Sequence, residues 1–165
     1  MIKPASRLVR WILPVALCAI VAAGCRDLSS LNTFEKHVVI PGYNWKDSYR
    51  PAFSFEITDT SARYNIEVTL RHTGDYPFSN LWVVISAAFE GSRPVSRRVE
   101  LPLADKQGRW LATGMDNIFL HRIPIQRNAR FDKAGTYHFS IEQNMRVNPL
   151  PDVMSVGLRV EKVPR

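Results

Sequence analysis

From His37 onward apolar and polar residues alternate with a period of two, and this pattern sets the tightest limit on what the chain can become. A strand turns successive side chains to opposite faces, so such a segment buries one row and leaves the other wet. Along residues 53–58, Phe53, Phe55 and Ile57 form one row against Ser54, Glu56 and Thr58. Tyr64, Ile66, Val68 and Leu70 repeat it against Asn65, Glu67, Thr69 and Arg71. Val99, Leu101 and Leu103, then Tyr137, Phe139 and Ile141, then Val156, Leu158 and Val160 supply further half-buried strands. Residues 81–88 are apolar on both faces, the pattern of a central strand covered on both sides. Short candidates at 38–40, 110–112 and 118–125 bring the expected number of strands to eight or nine. Turn signals such as Thr73-Gly74-Asp75, Asp105-Lys106-Gln107-Gly108 and Asp132-Lys133-Ala134-Gly135 separate them. The expected fold is all-β: an antiparallel two-sheet sandwich, jelly-roll or Ig-like, preceded by a cleaved signal helix and a short tether.

The first residues are cationic, with Lys3, Arg7 and Arg10, and they run into an apolar stretch over 11–24. That stretch falls short of the roughly 20 residues a spanning helix needs, contains Pro14 and ends in small residues, as a signal peptide does. Val21-Ala22-Ala23-Gly24-Cys25 resembles the bacterial lipobox, in which the cysteine sulfur receives diacylglycerol before cleavage in front of it. The expected organisation is a signal over 1–24, a lipidated tether over 25–36 and one sandwich domain over 37–165. Cys25 would carry the covalent diacylglycerol and, on its amino group, an N-acyl chain of palmitate type; no other cofactor is expected. Losing the signal removes three cations and lowers the formal charge from +7 to about +4. The remaining basic residues are interspersed with acids, and the one basic pair inside an expected strand is Arg97-Arg98, so no nucleic-acid footprint is present. Cys18 leaves with the signal and Cys25 is used for lipid, so stability has to come from a packed core. A chain of this size buries roughly two-thirds of its unfolded surface, enough for one domain.

A hydrolase needs a nucleophile, a base and an orienting group, and no motif nominates them. Gly-x-Ser-x-Gly, Ser-x-x-Lys and a phosphate loop are all missing from the sequence. His37, His72, His121 and His138 lie far apart and form no short-spaced metal pair, so each is read as structural or solvated, and no metal site is expected. His138 alternates with Tyr137 and Phe139 and should face solvent. Asp105-Lys106-Gln107-Gly108 lacks the further acids of a calcium loop and reads as a tight turn. Trp82 and Trp110 are read as core. Tyr43 and Trp45, in the loop-like Pro41-Gly42-Tyr43-Asn44-Trp45, are the candidates for stacking on a sugar ring.

Several segments together resemble the gliding motility lipoprotein GldH family of the Bacteroidetes. They are Trp45-Lys46-Asp47; Phe53-Ser54-Phe55-Glu56-Ile57-Thr58-Asp59-Thr60; Asp75-Tyr76-Pro77-Phe78-Ser79-Asn80-Leu81; and Ala104-Asp105-Lys106-Gln107-Gly108-Arg109-Trp110-Leu111. Phe139-Ser140-Ile141-Glu142-Gln143-Asn144-Met145-Arg146 and Val156-Gly157-Leu158-Arg159-Val160-Glu161 complete the set, in order and with the lipobox upstream. Ala112-Thr113 before Gly114 and Asn144 in place of a more usual Ala are small departures. The resemblance implies an envelope lipoprotein without enzyme activity. It would serve the gliding machinery and the secretion linked to it as scaffold or interaction module.

The polar run Gln143-Asn144-Met145-Arg146, where a strand gives way to the Pro-rich loop Asn148-Pro149-Leu150-Pro151, is the candidate partner contact. The expected partners are the membrane, through the lipid, and other proteins of the envelope or gliding machinery, with no nucleic acid. An outer-membrane lipoprotein with its domain in the periplasm is expected, because Arg26-Asp27-Leu28-Ser29-Ser30 lacks an acidic surface-export run. A carbohydrate-binding sandwich is the alternative.

Overall fold

The apolar rows meet along the seam between two sheets. The computed structural model describes residues 33–164, so the signal segment, Cys25 and the first part of the tether lie outside the described residues. Nine strands follow in chain order: β1 (Thr33–Val39), β2 (Ala52–Ile57), β3 (Tyr64–Thr73), β4 (Asn80–Phe89), β5 (Val95–Pro102), β6 (Thr113–Met115), β7 (Ile118–Ala129), β8 (Gly135–Gln143) and β9 (Val153–Lys162). One five-stranded sheet has the order β1-β9-β3-β7-β6 and one four-stranded sheet the order β2-β8-β4-β5. Every pairing is antiparallel. Four of the pairings are nested, β4 with β5, β3 with β7, β2 with β8 and β1 with β9, so a doubled ribbon winds through both layers.

The alternation sets the faces. In β2, Phe53, Phe55 and Ile57 are at most 4% exposed, while Ala52, Ser54 and Glu56 face out. In β3, Ile66, Val68 and Leu70 stand beside Val160, Leu158 and Val156 of β9, and all six are buried. Each such side chain contributes about 1.5–3 kcal/mol by leaving water. At one end of the seam Phe34 meets Phe55 at 5.4 Å, Phe55 meets Phe131 at 5.9 Å and Phe131 meets Tyr137 at 4.6 Å between ring centroids. These contacts tie β1 of the large sheet to β2 and β8 of the small one.

Three expectations need correction. Residues 33–36, read as tether, belong to β1, where Thr33 stands opposite Glu161 and Phe34 packs into the core. Their alternation is masked because Lys36, in the inward row with Phe34 and Val38, sits on an edge strand where it stays exposed. Residues 110–112 form no strand; Trp110 makes a single bridge to Ala104, and the short β6 forms just after it. Finally, β4 is covered on one face only. Leu81, Val83 and Ile85 are buried, but Trp82 and Val84 lie half-buried on the outer side, so Trp82 is not a core residue.

The outer face of the large sheet carries an ion network centred on Arg159. Its guanidinium reaches Glu35 at 2.6 Å, Glu161 at 2.8 Å and Glu67 at 3.6 Å. Burial pushes the Glu35 carboxyl up, but Arg159, His37 and Arg122 outweigh this and hold it below its ordinary value. These are cross-strand neighbours of β1, β9 and β3, so the network reinforces the register the core already dictates.

Candidate functional site

At the end of the sandwich opposite the aromatic seam, β8 runs out at Gln143 and the chain enters the loop leading to β9. Two contacts from the β1–β2 connection tie that loop down. Trp45 and Leu150, both fully buried, exchange backbone hydrogen bonds of 2.8 and 2.9 Å, and the Asp47 amide donates to Asn148 Oδ1 at 3.2 Å. The Trp45 indole donates to the Tyr49 carbonyl at 2.8 Å. Trp45 is therefore an anchor inside the protein and has no face to offer a sugar, which overturns the Tyr43 and Trp45 stacking platform. Tyr43 alone is exposed, at 44%.

Of the run 143–146, the structure separates the positioning residue from the presented ones. Gln143 is 1% exposed, and its side-chain oxygen accepts from the Met145 amide at 2.8 Å, so it shapes the loop and touches no partner. This corrects its reading as a contact residue: the inward row of β8 continues through Phe139, Ile141 and Gln143. Asn144 is exposed and extends the β8–β4 ladder by donating its amide to the Trp82 carbonyl at 2.8 Å. The Trp82 amide donates in turn to Met145 Sδ at 3.2 Å. Arg146 projects outward without an ion-pair partner among the described residues.

The neighbouring strands add what the sequence reading left out. In the β4–β5 register Val84 stands opposite Arg98 and Trp82 opposite Glu100, so Arg98 lies diagonally beside Trp82. Its guanidinium sits 4.0 Å from the indole centroid, a cation–π contact, and its Nε donates to Asn144 Oδ1 at 2.7 Å. Phe78, Trp82, Arg98, Asn144, Met145, Arg146 and Val147 thus line one groove of about 340 Å³. The acids nearest to it are already engaged, Glu100 by the Asn80 amide at 2.6 Å and Glu142 by Arg50 at 2.6 Å. The result is an apolar floor of Phe78, Trp82 and Met145 with two guanidinium groups at its rim. Arg97-Arg98 was the one signal in the sequence that could have pointed here.

A larger cleft, about 680 Å³, lies beside β6, lined by Trp110, Leu111, Ala112, Thr113, Leu120 and Arg122. Arg122, at its rim, also reaches toward Glu35 at 3.5 Å. Behind it is a buried histidine pair. His72 and His121 have no exposed surface, and their Nε2 atoms lie 2.8 Å apart. Trp110, Tyr76 and Phe119 surround His72 at centroid distances of 4.6, 5.1 and 5.6 Å. His72 Nδ1 lies 2.6 Å from the Thr73 carbonyl, which only accepts, so His72 carries its proton there and His121 Nε2–H donates to His72 Nε2. Burial lowers both pKa values; that of His121, with the His72 charge as second cause, falls to about 4. The Leu111 carbonyl favours a proton on His121 but does not reach hydrogen-bond geometry with Nδ1, which is left without a partner. The pair is architectural: two neutral rings close the core where β3 meets β7. His138 lies on the exposed face of β8, as its alternation predicts.

Among the described residues, no group of three or more His, Cys, Asp or Glu is placed to hold a metal ion. Cys25 lies outside them.

Comparison with known proteins places this architecture in a family. A family model described as GldH lipoprotein matches residues 32–160. The gliding motility lipoprotein GldH homolog of Christiangramia forsetii is 27% identical over 127 residues, covering 73% of this chain and 78% of that protein. The gliding motility lipoprotein GldH of Flavobacterium johnsoniae is 24% identical over 128 residues, covering 73% of this chain and 79% of its own length. Among solved structures, the VP2 subviral particle of infectious bursal disease virus aligns at a TM-score of 0.31 with 18% identity. That alignment covers 78% of this chain and 29% of VP2, a likeness too low to carry an argument. The family match begins one residue before β1 and ends within β9, so it takes in both sheets and the groove between β4, β5 and the β8–β9 loop, and the chain belongs to the GldH lipoprotein family.

Proposed function

We propose that this chain is a non-catalytic interaction module of the gliding machinery, held by lipid on Cys25 at the periplasmic face of the outer membrane. The sandwich is of the jelly-roll kind, since the nested pairs β1–β9, β2–β8, β3–β7 and β4–β5 are those of one long hairpin wound through two layers. Such a fold supplies rigid strand ends from which a loop can be presented. The observation that carries the reading is the build of the groove. Arg98 is preset by Asn144 and the Trp82 ring, Arg146 lies beside it with no ion-pair partner among the described residues, and Phe78, Met145 and Val147 supply apolar contact. Aromatic, Met and Arg side chains together make a composition suited to protein recognition, and a guanidinium binds a carboxylate in two places at once. Membership of a family whose relatives are named gliding motility lipoproteins supports the gliding assignment.

The test is crosslinking or pull-down from gently solubilised membranes, comparing wild type with Arg98→Ala and Arg146→Ala at equal folding and abundance. Partner recovery should fall at least severalfold in each variant. Unchanged recovery in both removes the groove from the interface. Protease added to intact cells tests the location, and rapid digestion would put the domain on the outside.

A further inference from the structure

The two ends of the sandwich differ in charge, and the more basic end is the one at which the chain enters. Thr33 opens β1 opposite Glu161, and Tyr64 lies opposite both Lys162 and Ala129. In the small sheet the same end holds Ile57 opposite Gly135 and Phe89 opposite Tyr137. The Phe34, Phe55, Phe131 and Tyr137 contacts join the two sheets there. Loops 58–63, 90–94 and 130–134 therefore project together. They and the last turn of β7 present Arg63, Arg93, Arg127, Arg130 and Lys133, all exposed and none in an ion pair among the described residues. The acids on these loops are fewer: Glu90 and Asp132 are exposed, while Asp59 is held by Lys162 at 2.7 Å. At the opposite end, around the groove, Asp47, Asp75 and Asp116 offset Lys46, Lys106 and Arg146.

We infer that this basic end docks on the anionic headgroups of the bilayer in which the Cys25 lipid is seated, and so holds the groove at the far end away from the membrane. The proposal rests on the reading that Cys25 is acylated. Eight residue steps separate Cys25 from Thr33, and a fully extended chain spans at most about 3.5 Å per step, so Thr33 stays within roughly 28 Å of the lipid. The tether thus joins the domain at its basic end and holds that end within reach of the headgroups. Each basic side chain near an anionic surface strengthens association by about fivefold, within a Debye length of about 10 Å at moderate salt. Five such cations against three exposed acids at the tethered end, Glu90, Asp132 and Glu56 near the end of β2, favour one orientation over random tumbling.

The experiment uses the lipidated mature protein in phosphatidylcholine vesicles with and without phosphatidylglycerol. A fluorophore is attached at Ser92→Cys in the β4–β5 loop or at Lys106→Cys at the far end, and a headgroup-labelled lipid acts as quencher. Phosphatidylglycerol should raise quenching at position 92 severalfold and leave position 106 unchanged, and salt should reverse the effect. Arg63→Glu/Arg130→Glu/Lys133→Glu, three exposed positions, should return quenching to the phosphatidylcholine level while the circular dichroism spectrum is unchanged. Equal quenching of both labels, or a triple variant that quenches like wild type, overturns the docking alone. Mass spectrometry showing no lipid on Cys25 overturns the anchor reading and the docking together.

Discussion

Thr69 Oγ1 and His37 Nδ1 lie 3.2 Å apart although their strands are not neighbours, because Gly157 of β9 stands between them without a side chain. A Cβ at Gly157 would collide with Thr69 Oγ1 and come within 2.7 Å of the Lys36 carbonyl and 2.8 Å of His37 Nδ1. The backbone of β1 cannot step aside without breaking its ladder to β9. Gly157→Ala should therefore destabilise the domain by about 1–3 kcal/mol, the usual cost of overpacking. Urea unfolding measures it, and an unchanged midpoint would show that β1 moves freely.

The histidine pair sets a pH dependence with a definite sign. Both rings are neutral in the folded protein, and His121 titrates at about 4 when folded against an ordinary 6.5. About a pH unit above 6.5 neither state binds the proton and this contribution to stability is complete. Below it the unfolded chain binds protons the folded one refuses, so stability declines as pH falls toward 4, by up to roughly 3 kcal/mol for His121. Carboxylates such as Glu35, whose folded pKa is lowered from 4.5, act at lower pH. His121→Gln keeps a donor for His72 and removes the titration, so its unfolding midpoint should change less between pH 6.5 and 4 than that of wild type. Parallel curves would place the dependence elsewhere.

Trp45→Ala should cost about 3–5 kcal/mol, because it empties a fully buried site and removes the indole donor that the Tyr49 carbonyl accepts. The same change loosens the loop through Leu150, so proteolysis between 144 and 152 should accelerate. A sugar-binding Trp would leave stability intact when truncated, which a thermal melt distinguishes.

Arg159→Ala leaves Glu35, Glu67 and Glu161 facing one another across three adjacent strands. The loss should be about 1–2 kcal/mol at low salt and shrink as salt screens the carboxylates. A salt-independent loss would mean that the packing of the arginine stem matters more than its charge.

Much of the architecture was legible in the sequence because its signal is local. The rows Phe53-Phe55-Ile57 and Ile66-Val68-Leu70 declare their buried face by period alone, and the family segments fall on strands and turns in the expected order. Reading failed where the face depended on a neighbouring layer. Trp82 sits in a doubly apolar strand, yet its outer side has no layer above it, and Trp45 sits in a loop-like sequence yet is sealed by Leu150.

The amino-acid order by itself determined most of the strands and the inward row of each, since these follow from residues close together. Which strands meet was decided by the tertiary structure. His72 and His121, 49 residues apart, touch because the β3–β7 register brings them together. Arg98 reaches Trp82 and Asn144 only through the β4–β5 and β4–β8 registers. A period of two says which way a side chain points but is the same at every register, so long-range pairing is settled by how whole apolar faces fit against each other.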